Sequence, residues 1–264
     1  MFKAERIQKI KEVVYNRKQV DVTTLSSLLN VSGVTIRSDL ERLEKSGFLL
    51  RTHGGAILNE TSTSQDDANN VLLGKTIQYD KNKESIGMVA SALIEEHEWI
   101  FLGPGETCYY IAKQLSARKN INVLTNNVYV MNTLLHNPQI NVIVAGGNLN
   151  HRRCCTTGDI FVKSVEDFYI RKAFFSISGA DFQAGYTVPD EGEMNLIKSV
   201  SKKSGELVYL INSRNFGSIS FVSVGGLQSA SAVISDNQMP EAYKKYFFEN
   251  KIRVFTSYDL DSLV

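Results

Sequence analysis

The sequence predicts an α/β chain in two parts: a small helical unit ending in a β-hairpin, then a larger domain built on a mostly parallel sheet. Three observations predict it. Residues 1–58 carry helical periodicity followed by a short glycine-centred hairpin pattern. From about residue 80, short apolar runs alternate with helical stretches, the pattern of a parallel sheet covered on both faces. Between them, residues 59–70 are polar and nearly free of large apolar side chains, so they supply no core and read as a linker. The expected organisation is 1–58, a linker at 59–79, and 80–264.

A length of 264 residues suits two domains, and 43% apolar with 22% charged residues excludes disordered, collagen-like and coiled-coil chains. No apolar run approaches the ~20 residues of a membrane span. The charged start Met1–Arg6 leads into no apolar h-region, so no signal peptide and a cytoplasmic location are expected. Cys108, Cys154 and Cys155 form no ligand set and read as reduced structural thiols. His53, His97, His136 and His151 are scattered, so neither a metal nor another cofactor is expected.

The net charge of +1 conceals an asymmetry. Residues 1–58 hold ten Lys/Arg against six Asp/Glu, while the remainder holds 19 against 22. A basic module on a mildly acidic body suits a partner such as nucleic acid.

Within the basic part, Ile7, Ile10, Val13 and Val14 mark an amphipathic helix over 3–17. Gln19–Val22 reads as an extended link. Thr23 is the expected N-cap of a short helix through Leu29, with Leu25, Leu28 and Leu29 pointing one way. Asn30–Ser32 breaks the period, and Ser32 caps a third helix over about 33–46 that buries Ile36, Leu40 and Leu43. Gly47 lies where a C′ glycine is expected. Two helices joined by a tight break, the second carrying Arg37 near its start, form a helix-turn-helix, whose second helix enters the major groove and reads base edges with its first turns. Phe48–Leu58 then reads as two strands around a glycine turn, a wing with Arg51 and His53 near its tip. The candidate DNA-contacting residues are Ser32, Thr35, Arg37, Ser38, Arg51 and His53.

In the larger part, helical patterns near 86–94, 110–115, 128–135, 158–167, 191–204 and 240–249 alternate with strands. The strands are Trp99–Leu102, Val123–Asn126, Val142–Gly147, Ala173–Ile177, Leu207–Ile211, Ala232–Ile234 and Ile252–Phe255. Ligands of such sheets gather beyond the strands' carboxyl ends. There, Gly103-Pro104-Gly105-Glu106-Thr107 precedes a helix, suiting an anion such as phosphate. Thr125-Asn126, Gly146-Gly147, Gly179 and Asp181 supply small or hydrogen-bonding groups, and Arg152 and Lys198 supply positive charge. With Gly103, Gly105, Glu106 and Thr107 these residues form the candidate effector site.

The run Val31-Ser32-Gly33-Val34-Thr35-Ile36-Arg37-Ser38-Asp39-Leu40-Glu41-Arg42-Leu43-Glu44-Lys45-Ser46-Gly47, followed by Arg51-Thr52-His53-Gly54-Gly55-Ala56, resembles the DeoR family of bacterial transcriptional regulators. Their signature has the form VSxxTIRRDLxxLExxGxLxRxHGGA. Ser38 replaces the second arginine of that pattern. The larger part is similar to the family's effector domain, which shares its fold with ribose-5-phosphate isomerase. The matching landmarks are Gly105 and Thr107, Thr125-Asn126, Gly146-Gly147, Gly158, Gly179 and Asp181, Gly185, Lys198, and Phe216-Gly217. The resemblance implies operator DNA as partner, a phosphorylated sugar as effector, and a homodimer or homotetramer. Gly103 stands where relatives end a strand with Asp, Asn212 and Asn215 replace an acid and a lysine, and Glu106 brings a carboxylate beside the anion loop. The expectation is a non-enzymatic regulator, a repressor of a carbohydrate operon. The alternatives are a sugar-phosphate isomerase or deaminase using Asp181 and Glu193 as acid and base, and a helix-turn-helix that grips a protein.

Overall fold

A computed structural model describes residues 3–45, 48–52, 54–58, 77 and 79–257, and the chain divides into two units, Met1–Thr76 and Ile77–Val264. In the first unit, helices Lys3–Arg17, Val22–Leu29 and Gly33–Lys45 pack with strands β1 (Gln19–Asp21), β2 (Leu49–Arg51) and β3 (Gly55–Leu58). Ile10, Val14, Leu25, Ile36, Leu40, Leu43 and Leu49 close its core. The Arg6 Nε donates to the buried Asp39 Oδ2 at 2.5 Å, pinning the first helix to the third.

Three local expectations change. The segment 19–21 is a strand, pairing antiparallel with β3 so that the sheet order is β1-β3-β2. Gly55 permits that pairing, because a Cβ there would lie 2.1 Å from the Val20 carbonyl oxygen. Asp21, not Thr23, caps the second helix: its Oδ1 accepts from the Thr24 N–H at 2.7 Å. Leu28 is 55% exposed, because it sits a quarter-turn from the buried Leu25 and Leu29. Asn30, at φ 51°, makes the break between helices, a left-handed conformation that asparagine tolerates. Ser46, Gly47, His53 and residues 59–76 and 78 lie outside the described residues, so neither the expected C′ glycine nor the linker is described.

The second unit centres on a seven-stranded, wholly parallel sheet of order β15-β14-β12-β9-β4-β5-β6. The strands are β4 (Trp99–Leu102), β5 (Ile121–Thr125), β6 (Ile140–Val144), β9 (Ile170–Ser176), β12 (Ser204–Ile211), β14 (Ala232–Ser235) and β15 (Arg253–Thr256). Side chains alternate across it. Ile100, Leu102, Phe174, Val208 and Leu210 face helices Lys81–Ala92, Glu106–Leu115 and Val128–Leu134. Phe101, Phe175, Tyr209 and Ile211 face helices Asp159–Val165, Glu191–Ser201 and Glu241–Glu249. Two additions lack clear sequence signals: a hairpin of β7 (Asn148–Asn150) and β8 (Cys155–Thr157), and an antiparallel side sheet of β10 (Gly179–Asp181), β11 (Gly185–Val188) and β13 (Val222–Gly225). The helix expected over 191–204 stops at Ser201 because β12 begins at Ser204. Among the described residues, no helix is long and apolar enough to cross a membrane.

Strand order reverses between β4, from which the chain proceeds outward through β5 and β6, and β9, which returns to β4's other side. The crevice beyond the carboxyl ends of this pair is where an open parallel sheet places a ligand.

Candidate nucleic-acid interface and ligand site

On the first unit, the third helix exposes one face. Ile36, Leu40 and Leu43 are buried, whereas Arg37, Ser38 and Glu41 are exposed on the opposite side. Ser32 caps this helix as expected, its Oγ accepting from the Thr35 N–H at 3.3 Å and lying 2.9 Å from the Thr35 Oγ1. Those two hydroxyls are engaged with each other. The Arg37 guanidinium lies back along the first turn, 3.7 Å from where a Cβ on Gly33 would stand. In the wing, the Arg51 N–H donates to Glu44 Oε1 at 3.0 Å and its guanidinium faces the same carboxylate at 4.0 Å. His53 is outside the described residues.

On the second unit, the switch-point crevice begins with Gly103, whose N–H donates to the β9 carbonyl of Phe174. A Cβ at Gly103 would lie 2.6 Å from the Phe175 ring, which explains why no carboxylate side chain fits here. Gly105, at φ 101°, turns the chain into helix Glu106–Leu115, and a side chain there would press on Ser176 at 3.0 Å. The left-handed turn and the close approach both require glycine. Glu106 is neutralised: Lys83 reaches across from helix Lys81–Ala92 and hydrogen-bonds its Oε2. A carboxylate beside the anion loop therefore carries its own counter-ion. Asp80 caps the Lys81 helix and faces both Lys83 at 3.9 Å and Arg214 at 3.3 Å, so the crevice rim combines two cations with two acids.

Asn127 holds the loop in shape. Its buried Nδ2 donates to the Gly103 and Gly105 carbonyls, both at 3.0 Å, while its Oδ1 caps helix Val128–Leu134. Replacing Asn127 with Ala leaves those groups without partners and is expected to destabilise this unit by about 2 kcal/mol in chemical denaturation. Neighbouring Asn126 is also buried. Its Nδ2 donates to the Thr156 carbonyl at 2.7 Å, and its Oδ1 has no hydrogen-bond donor among the described residues. A buried acceptor without a donor is uncommon and suits a hydroxyl-bearing ligand.

The remaining expected residues divide. Thr125 is fully buried, its hydroxyl donating to the Leu102 carbonyl and accepting from the Asn127 N–H, so it braces β4 against β5 and its one donor is already used. Gly146 and Gly147 turn the chain from β6 into the β7–β8 hairpin, with Gly147 at φ 146°. Arg152 is exposed in that hairpin's turn. The adjacent Arg153 is partly buried, its Nη2 donating to the buried Glu193 Oε2 at 2.5 Å. Burial pushes the Glu193 carboxyl up to about 7, and the facing guanidinium opposes that rise. Gly179 and Asp181 belong to the side sheet. The N–H groups of Ala184 and Gln183 both donate to Asp181 Oδ1, holding its carboxyl below the usual range and closing the β10–β11 turn. Lys198 lies in the last turn of helix Glu191–Ser201, beside Ser204 and Gly205 at the amino end of β12. At 1.5 Å per residue, that places it roughly 10 Å along the helix from the end nearest the crevice.

The structure thus gathers Gly103, Gly105, Glu106, Thr107 and Asn126 at one crevice, and separates Thr125, Asp181 and Lys198 from it by turn, brace or helix length. It adds Lys83 and Asn127, which the residue pattern did not single out. Asp181 and Glu193, the acid and base an isomerase would need, belong to different hydrogen-bond systems. Among the described residues, no three His, Cys, Asp or Glu side chains are placed to hold a metal ion.

A family model described as the DeoR-like helix-turn-helix domain matches residues 6–62, and one described as the DeoR C-terminal sensor domain matches residues 78–237. The chain belongs to the DeoR family of DNA-binding transcriptional regulators. It is similar to the HTH-type transcriptional regulator GolR of Listeria innocua, 30% identical and covering 93% of this chain and 96% of that one. It is also similar to the HTH-type transcriptional repressor CsqR of Escherichia coli K12, 23% identical over 92% and 91%. Ribose 5-phosphate isomerase A of Neisseria gonorrhoeae aligns at 15% identity and a TM-score of 0.38, over 53% of this chain and 54% of that one.

Proposed function

We propose that this protein is a repressor of a carbohydrate uptake or metabolism operon, released from or recruited to its operator by a phosphorylated sugar. The observation that carries the effector half is the switch-point crevice: a glycine loop opening a helix beside Asn126, whose buried acceptor has no donor among the described residues. The helix N-terminus suits the phosphate, with Glu106 neutralised by Lys83, and Asn126 suits a sugar hydroxyl. Paired winged helices of a homodimer or homotetramer grip half-sites about 34–36 Å apart or a multiple of that. Ligand binding alters their placement, and a coupling of ~1–3 kcal/mol changes operator affinity about 5–150-fold.

Gel-shift titration against DNA upstream of the gene, with and without candidate sugar phosphates, tests both halves. A change of operator affinity in that range is expected with one of them. Thermal unfolding of the full chain supplies a second readout, because a ligand at 100 times its Kd stabilises by about 2.7 kcal/mol. Specific operator binding untouched by every sugar phosphate, with no thermal shift, removes the effector half.

A further inference from the structure

Val34 occupies a place on the third helix that stability does not explain. It is 73% exposed, the second residue of helix Gly33–Lys45. At 100° per residue it lies nearly opposite the buried stripe of Ile36, Leu40 and Leu43. It shares the outward face with Arg37 at i+3, Ser38 at i+4 and Glu41 at i+7, all exposed. A β-branched residue gains nothing for the helix at such a position, since its propensity is below that of alanine. Single exposed apolar residues are ordinary on a surface. This one stands in the turn that meets base edges when such a helix enters the major groove.

The chemistry of the neighbours narrows its task. The Ser32 and Thr35 hydroxyls hydrogen-bond each other, and beside them the first turn presents exposed Val34 as its apolar group, with the Arg37 guanidinium lying near Gly33. An isopropyl group neither donates nor accepts hydrogen bonds. The one apolar feature that a base pair displays in the major groove is the 5-methyl group of thymine. The net positive charge of residues 1–58 suits a polyanion as the partner of this unit. We propose that Val34 is a specificity-determining residue that packs on a thymine methyl in each half-site, next to the base pair read by Arg37. Residues three apart on a helix are separated by ~4.5 Å along its axis, close to one base-pair step.

This inference rests on the DNA-binding reading above, and its test separates the two. Binding is measured on the operator duplex defined by gel shift, with each thymine of one half-site replaced in turn by deoxyuridine, which removes only the methyl group. Wild-type protein is expected to lose about threefold to tenfold in affinity at one position. Val34→Ala is expected to bind the unmodified duplex more weakly by a similar factor and to lose nothing further at that position. A flat deoxyuridine profile overturns the assignment, and so does a loss that persists undiminished in Val34→Ala. Absence of specific binding to any upstream duplex instead sinks the DNA-binding reading itself.

Discussion

Raising the salt concentration from 50 to 200 mM is expected to weaken operator binding by roughly 10³–10⁵-fold, the loss for a protein that neutralises ~6–10 phosphates. The effect has a specific origin here: basic residues are concentrated in the first 58 positions while the rest of the chain is mildly acidic. Complex formation releases counter-ions condensed on the DNA, and releasing them into more concentrated salt gains less entropy, so affinity falls as a power of salt concentration. Arg37→Ala then tells base reading from charge. If the guanidinium pairs bidentately with guanine, the variant loses ~1–3 kcal/mol and discriminates less at one base pair. If it contacts a phosphate instead, binding weakens similarly on all sequences and the salt slope drops by about one. Fluorescence anisotropy at several salt concentrations, on operator and on scrambled duplex, reads both quantities. A binding constant that barely changes with salt would mean that the helix-turn-helix grips a partner other than DNA.

Much of the fold was legible because its long elements keep their period. Ile36, Leu40 and Leu43 announce the third helix, and runs such as Trp99–Leu102 and Leu207–Ile211 announce buried strands. The short elements were not. Asn148–Asn150 and Cys155–Thr157 have three residues each, too few to display alternation, and they pair only because the intervening turn brings them together. The side sheet joins β11 to β13 across more than thirty residues, and nothing local encodes such pairing.

The site was half legible for related reasons. The Gly103–Thr107 loop announces itself through glycine spacing. Whether a strand-end hydroxyl faces a ligand or the backbone depends on neighbours distant in sequence, and Thr125 turns to the Leu102 carbonyl. Arg152 and Arg153 are equivalent as sequence. The turn in which Asn150 Oδ1 accepts the N–H groups of both residues orients them, sending Arg153 toward Glu193. Lys83 comes from a helix over twenty residues before the carboxylate it neutralises, a pairing visible only once the two helices pack.

Glu193 carries the second large prediction. It is 4% exposed, and its carboxyl is pushed from 4.5 to about 7, chiefly by burial, with Arg153 opposing the shift. The folded chain therefore holds a proton at this site up to about pH 7, whereas the unfolded chain releases it near 4.5. In that window the folded state binds more protons, so stability falls as pH rises. At about 1.4 kcal/mol per pH unit, this group costs roughly 3 kcal/mol once the pH exceeds 7, and the cost vanishes below about 4.5. Glu193→Gln keeps the shape and removes the titration. Denaturation measured from pH 5 to pH 8 is expected to show the wild type losing stability relative to Glu193→Gln across that range. Arg153→Met should move the titration upward, because the buried carboxylate then has no cation to oppose its desolvation. Parallel pH profiles for wild type and Glu193→Gln would mean that the carboxylate is ionised in the folded protein throughout. The Arg153 pair would then be strong enough to outweigh burial, and the β7–β8 hairpin would be tied to helix Glu191–Ser201 by a fixed ion pair.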